Sequence, residues 1–186
     1  LPGGVSARIA LSHIRIGTFE YFAAKADHSN LKILADYTIN RLYPELGSSS
    51  HPYLDLWREV FKKQIHLIIK WMSLGFIHGV MNTDNMNVSG ETIDYGPCAF
   101  MDFYSHNRAY SFIDQHGRYA YGNQPHILFW NMARFAESLS SLLEVSNDEL
   151  KNEMLAFQKN FLHDYNTTML RKLGINQQYE GDEKLI

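Results

Sequence analysis

His78-Gly79-Val80-Met81-Asn82-Thr83-Asp84-Asn85, followed by Ile93-Asp94-Tyr95-Gly96, places the acids Asp84 and Asp94 and the amide of Asn85 within a short stretch of a 186-residue chain. Carboxylate and amide oxygens are hard donors. They suit Mg²⁺, which takes one or two protein carboxylates and completes its shell with water and substrate phosphates. Taken singly, Asp84 also reads as the cap of a turn and Asp94 as the start of a tight turn at Gly96. It is the ordered set that favours a site over two unrelated turns.

That order resembles a protein-kinase catalytic loop followed by its metal-binding Asp-Phe-Gly segment. Counted from His78, the pattern His-x-Asp-x-x-x-x-Asn ends on Asn85, and Asp94-Tyr95-Gly96 stands in the place of Asp-Phe-Gly. The catalytic Asp of the kinase pattern falls on Val80, which cannot accept a proton. Conventional phosphoryl transfer is therefore disfavoured, while nucleotide and metal binding stay open.

A longer set of matches is more specific. His78 to Met86, Thr92-Ile93-Asp94-Tyr95-Gly96-Pro97, Phe100-Met101-Asp102, Ser12 to Glu20, Gly117 to Pro125, Trp130-Asn131 and Arg134 together resemble the selenoprotein O family of protein adenylyltransferases. The resemblance implies a mainly α fold with a few short strands, the C-terminal (large) lobe of a protein-kinase-like fold. It implies transfer of AMP from ATP to Ser, Thr or Tyr hydroxyls of proteins, with Mg²⁺ or Mn²⁺ and the nucleotide reversed relative to a kinase. Residue by residue, Asp84 is the implied proton acceptor, and Asn85 and Asp94 are the implied metal ligands. Arg8 and Arg15, together with Asp94, are the implied nucleotide-binding residues. Seven-residue spacing would put the two arginines on one side of that stretch if it is helical.

The partners so implied are ATP and protein substrates bearing hydroxyl side chains. The implied location is the cytoplasm in a bacterium or the mitochondrion in a eukaryote, without secretion. A catalytically silent kinase-like nucleotide-binding or scaffold module is the alternative; intact Asp84, Asn85 and Asp94 favour the enzyme. No Gly-x-Gly-x-x-Gly occurs, and Leu1-Pro2-Gly3-Gly4 reads as mid-chain. Residues 1–186 are therefore expected to be a large lobe lacking the small lobe and the family's C-terminal region, and to be inactive alone.

Composition narrows the classes further. The chain is 45% hydrophobic, 13% aromatic and 20% charged, which is a core-forming balance. A net charge of −3 gives no global field toward nucleic acid or an anionic membrane, and neither is expected as a partner. Cys98 is the single cysteine, which excludes an intrachain disulfide framework, and it reads as a small packing residue. No apolar run approaches the ~20 residues of a membrane span.

The elements that must position these residues are mostly helical. Helices are predicted over Ser12–Ala26, after a Ser29 or Asn30 cap with Leu31, Leu34, Ile39 and Leu42 inward, and over Tyr53–Leu74. In the last, Leu54, Trp57, Phe61, Ile65, Ile68 and Met72 form one apolar stripe. This helix should be central, with Asp84, Asn85 and Asp94 at its C-terminal end. A short strand is predicted at Glu91-Thr92-Ile93, and Met101–Pro125 has no sustained period. Leu128, Met132, Phe135, Leu139 and Leu142 predict another helix, and Asn147 is read as capping a last one to about Lys172. His78 reads as a structural residue bonding the catalytic loop; Tyr104, Tyr110, Phe112, Tyr119 and Tyr121 either line a peptide groove or, the preferred reading, pack the long loop.

Overall fold

A computed structural model describes residues 3–5, 7–176, 179 and 181–182 of the chain, so Leu1 and Pro2 of the glycine-rich start lie outside the described residues. Five helices follow in order: α1 (Ile16–Ala24), α2 (His28–Leu42), α3 (Pro52–Ser73), α4 (Gln124–Ser138) and α5 (Asn147–Lys172). Strands β1 (Phe76–Ile77) and β2 (Ala99–Phe100) form one antiparallel pair, with Phe76 opposite Phe100 and Ile77 opposite Ala99. The protein is mainly α, as the sequence leads one to expect.

The centre is α3. Its stripe residues Leu54, Trp57, Phe61, Ile65, Ile68 and Met72 are all buried, and Pro52 opens the helix where its missing N–H costs nothing. Aromatic edges join α3 to its neighbours. Phe61 stacks on Phe157 of α5 with ring centroids 4.2 Å apart, and Trp57 Nε1 donates 3.0 Å to the Met132 carbonyl of α4. Helix α1 lies across α4, with Phe19 edge-on to Phe135 at 5.0 Å. Gly75, at φ +69, ends α3 and turns the chain into β1.

Four expectations are corrected in detail. The predicted Ser12–Ala26 helix begins only at Ile16, because residues before it are extended and paired with a distant segment. Asp27, not Ser29 or Asn30, caps α2, accepting the Asn30 N–H at 3.1 Å. Ser146, not Asn147, caps α5 in a reciprocal box with Glu149. Glu91-Thr92-Ile93 is no strand; it makes one isolated bridge, Thr92 with Met86.

The loop between β2 and α4 divides in its packing. Tyr121 is buried and its hydroxyl donates 2.7 Å to the Met72 carbonyl, while Tyr110 and Tyr119 are half-buried against the core. Tyr104 and Phe112 depart from the packing expectation, being 73% and 95% exposed. Cys98 packs half-buried against the core. No helix among the described residues is long and apolar enough to cross a membrane.

Candidate active site

Arginine and motif loop are brought together by β-type pairing rather than by a helix. Ile16 N–H donates 3.0 Å to the Met86 carbonyl, and Val88 N–H donates 3.0 Å to the Ile14 carbonyl. Arg15 therefore lies opposite Asn87 in an antiparallel bridge, two residues from Asn85. Asn87 is fully buried and locks this junction. Its side-chain amide donates to the Ser12 carbonyl, its Oδ1 accepts the Ser89 N–H at 3.0 Å, and its carbonyl accepts Gln64 Nε2 of α3 at 2.6 Å. The stretch from Arg8 to Arg15 is not helical, contrary to the condition under which their spacing would align them; irregular backbone with a bend at Leu11 carries both to the same cleft.

Two fully buried amides of α4 hold the motif loop from the other side. Gln124 donates 3.0 Å to the Phe76 carbonyl and accepts the His78 N–H at 3.1 Å. Asn131, seven residues on and so on the same helix face, donates 2.9 Å to the Met81 carbonyl. Both ends of the stretch from Phe76 to Met81 are thus fixed by side chains that see no solvent. Buried carbonyls left without such partners would be costly, which is why amides occupy core positions here.

His78 joins the two halves of the motif. Its ring stacks on Trp71 at 5.2 Å, its Nε2 donates 2.8 Å to the Ile93 carbonyl, and its Nδ1 accepts the Val80 N–H at 3.3 Å. One nitrogen donating and one accepting is the neutral tautomer. Burial lowers the imidazole pKa below its ordinary value, and the Ile93 bond and the nearby Asp94 charge only partly oppose this. The structural role read from the sequence matches these bonds. Beside it, Gly79 sits at φ +86, and an added Cβ would come within 3.0 Å of Pro97 Cγ, so glycine alone lets the two segments approach.

A cleft of about 730 Å³ opens at this junction, lined by Arg8, Ile9, Ala10, His13, Arg15, Asn85, Thr92, Ile93, Asp94 and Tyr95. Four of the five residues singled out in the sequence meet there: Arg8, Arg15, Asn85 and Asp94. The Asp94 side of the site lies by the last turn of α3, where Trp71 meets His78 and Thr92, and the loop then runs back along the helix so that Asn87 reaches Gln64. Asn85 donates 2.8 Å from Nδ2 to the Val80 carbonyl, which leaves the acceptor Oδ1 as the atom that could ligate a cation. Asp94 has φ +54, a left-handed conformation that aspartate tolerates better than most residues. Arg8 lies over the Tyr95 ring at 4.6 Å, so the residue after Asp94 orients one of the two guanidinium groups.

Asp84, the fifth residue, does not line the cleft. It sits on the 3₁₀ turn Thr83–Asn85 and is exposed, beside the first turn of α1 at Gly17. The dipole of α1 favours negative charge at that end. Sequence reasoning missed His13, Tyr95 and Gly17. Tyr95 was signalled by its place after Asp94, but Gly17 has no local signal, because what it touches lies far along the chain.

Two arginines facing an acid and an amide across an open cleft suit a polyanionic ligand, the class of site that nucleotide-handling proteins share. The family profile described as "Protein adenylyltransferase SelO" matches residues 2–186, and the chain belongs to that family. It is 53% identical over 190 residues to protein nucleotidyltransferase YdiU of Alkaliphilus metalliredigens, which covers 100% of this chain and 39% of that relative. The same coverage holds for YdiU of Agrobacterium fabrum at 53% identity and of Bacillus mycoides at 50%. The chain thus spans 39% of the length of these relatives.

Proposed function

We propose that this chain is the large-lobe part of a kinase-like enzyme that transfers AMP from ATP to Ser, Thr or Tyr hydroxyls of proteins. The observation that carries the reading is the meeting of Arg8, Arg15, Asn85 and Asp94 on one cleft, with Asp84 adjacent in the chain. Family membership and relatives named as protein nucleotidyltransferases support it. The cytoplasm of a bacterium, or the mitochondrion of a eukaryote, fits such an enzyme.

The donor set fits Mg²⁺ or Mn²⁺. One carboxylate and one amide oxygen on an open cleft are the kind of donors a hard cation shares with substrate phosphates. Asn85 Oδ1 and the Asp94 carboxylate would hold it. Bound there, the ion would neutralise charge on the phosphate oxygens.

The chain's own residues divide the work. Arg8 and Arg15 bind phosphate oxygens, where a planar guanidinium can engage two at once. Asp84 accepts the proton of the target hydroxyl. The hydroxyl oxygen forms a bond to the α-phosphorus, the bond from that phosphorus to the bridging oxygen breaks, and pyrophosphate leaves with the electron pair. Because Arg8, Arg15 and Asp94 are exposed, a covering small lobe elsewhere in the protein would exclude water and strengthen these charges.

The test is to give the full-length protein ATP labelled at the α- or the γ-phosphate. Label from the α-position alone supports AMP transfer. Label from the γ-position would indicate a kinase, and nucleotide binding with neither label would favour a silent module.

A further inference from the structure

Gly17 is the second residue of α1, a position where glycine is a poor helix former and where its φ is not in the left-handed region. Backbone conformation therefore gives no reason for glycine there. Its surroundings do. A Cβ at position 17 would collide with the Asp84 carboxylate, standing 2.9 Å from Cγ and closer still to Oδ1, and 3.2 Å from the Asp84 backbone nitrogen. The Asp84 side chain occupies the space that any other residue would fill.

We infer that Gly17 is a positioning residue for the proton acceptor: its missing side chain sets where the Asp84 carboxylate stands. The inference rests on the reading of Asp84 as that acceptor. Among the described residues Asp84, which is exposed, makes no side-chain hydrogen bond like those that hold Asn85 or His78; the α1 dipole favours its charge at that end, and the room beside Gly17 sets how close it stands. The contact comes from α1, and the cleft residues Arg8, Arg15, Asn85 and Asp94 lie outside it. Displacing Asp84 by a methyl group should thus impair proton transfer and leave nucleotide binding unaltered.

The discriminating variant is Gly17→Ala in the full-length protein, compared with Asp84→Ala. Rates are read as transfer of α-labelled ATP to casein and to the enzyme itself. Alanine favours the helix, while its Cβ must push the Asp84 carboxylate aside, so the melting temperature should move by only a few degrees. A displacement of this size is expected to lower kcat by about 10²-fold with KM for ATP unchanged. Calorimetry should find the same Mg·ATP affinity as in the unaltered protein. Full activity of Gly17→Ala beside a dead Asp84→Ala would overturn the inference and leave the Asp84 assignment standing. Full activity of Asp84→Ala would remove that assignment and the inference with it. A fall in melting temperature together with lost ATP binding in Gly17→Ala would also overturn it, since the glycine would then serve the fold.

Discussion

The Nε2 atom of His78 donates 2.8 Å to the carbonyl oxygen of Ile93, one residue before Asp94. This bond ties the loop that carries Asp84 and Asn85 to the segment that carries Asp94. The same ring, through Nδ1, accepts the Val80 N–H, where the kinase pattern would have its aspartate. Two segments with little regular structure are held in register by this neutral imidazole together with the Met86–Thr92 bridge.

That bond predicts a pH dependence. His78 has its folded pKa lowered by burial, so the unfolded chain binds the proton more readily. Stability from this group is full above the ordinary histidine pKa of about 6.5 and falls as pH drops from there toward the folded value. Protonation would also set an Nδ1–H against the Val80 N–H. Melting temperatures of the unaltered protein and of His78→Gln, measured between neutral and mildly acid pH, should show a shallower acid decline in the variant. Parallel curves would exclude His78 as a source.

Asp94→Ala should abolish AMP transfer and weaken Mg·ATP binding in the full-length protein. Its side chain is exposed, but alanine suits a φ of +54 less well than aspartate does, so stability should fall by about 1 kcal/mol with the fold intact. Titration calorimetry showing unaltered Mg·ATP affinity would take Asp94 out of the ligand set.

Asn131→Ala should destabilise the protein by about 1–3 kcal/mol, because it leaves the buried Met81 carbonyl without its donor. Gln124→Ala removes two bonds to the same loop and should cost at least as much. Chemical denaturation is the measurement. An unchanged midpoint for both variants would show that α4 does not anchor the loop.

Residues 1–186 on their own should bind ATP weakly and incorporate no label from the α-phosphate. Arg8, Arg15 and Asp94 are open to water, which screens each charge at the phosphates. Strong Mg²⁺-dependent labelling by this chain alone would show that the cleft needs no cover.

Elements with long, one-sided periodicity were legible in the sequence. The stripe from Leu54 to Met72 predicted α3 to within a residue at each end, because a buried helix face repeats over six turns. Shorter features were not. β1 and β2 have two residues each, too few for any period, and Ser12–Arg15 is extended because Asn87, far along the chain, supplies its partners. The cleft residues were legible by type and order, whereas the route that assembles them was not: Arg8 and Arg15 arrive on non-helical backbone, and Gly17 matters through a contact no local pattern encodes.

If the cleft holds the nucleotide by its phosphates, Asp84 stands beside the α-phosphorus. A crystal structure of the full-length protein with Mg²⁺ and a non-hydrolysable ATP analogue decides this. It should show the metal on Asn85 Oδ1 and the Asp94 carboxylate, phosphate oxygens on Arg8 and Arg15, and the Asp84 carboxylate facing the α-phosphorus across room for a hydroxyl. A nucleotide seated elsewhere, or one whose γ-phosphate faces Asp84 instead, would contradict it.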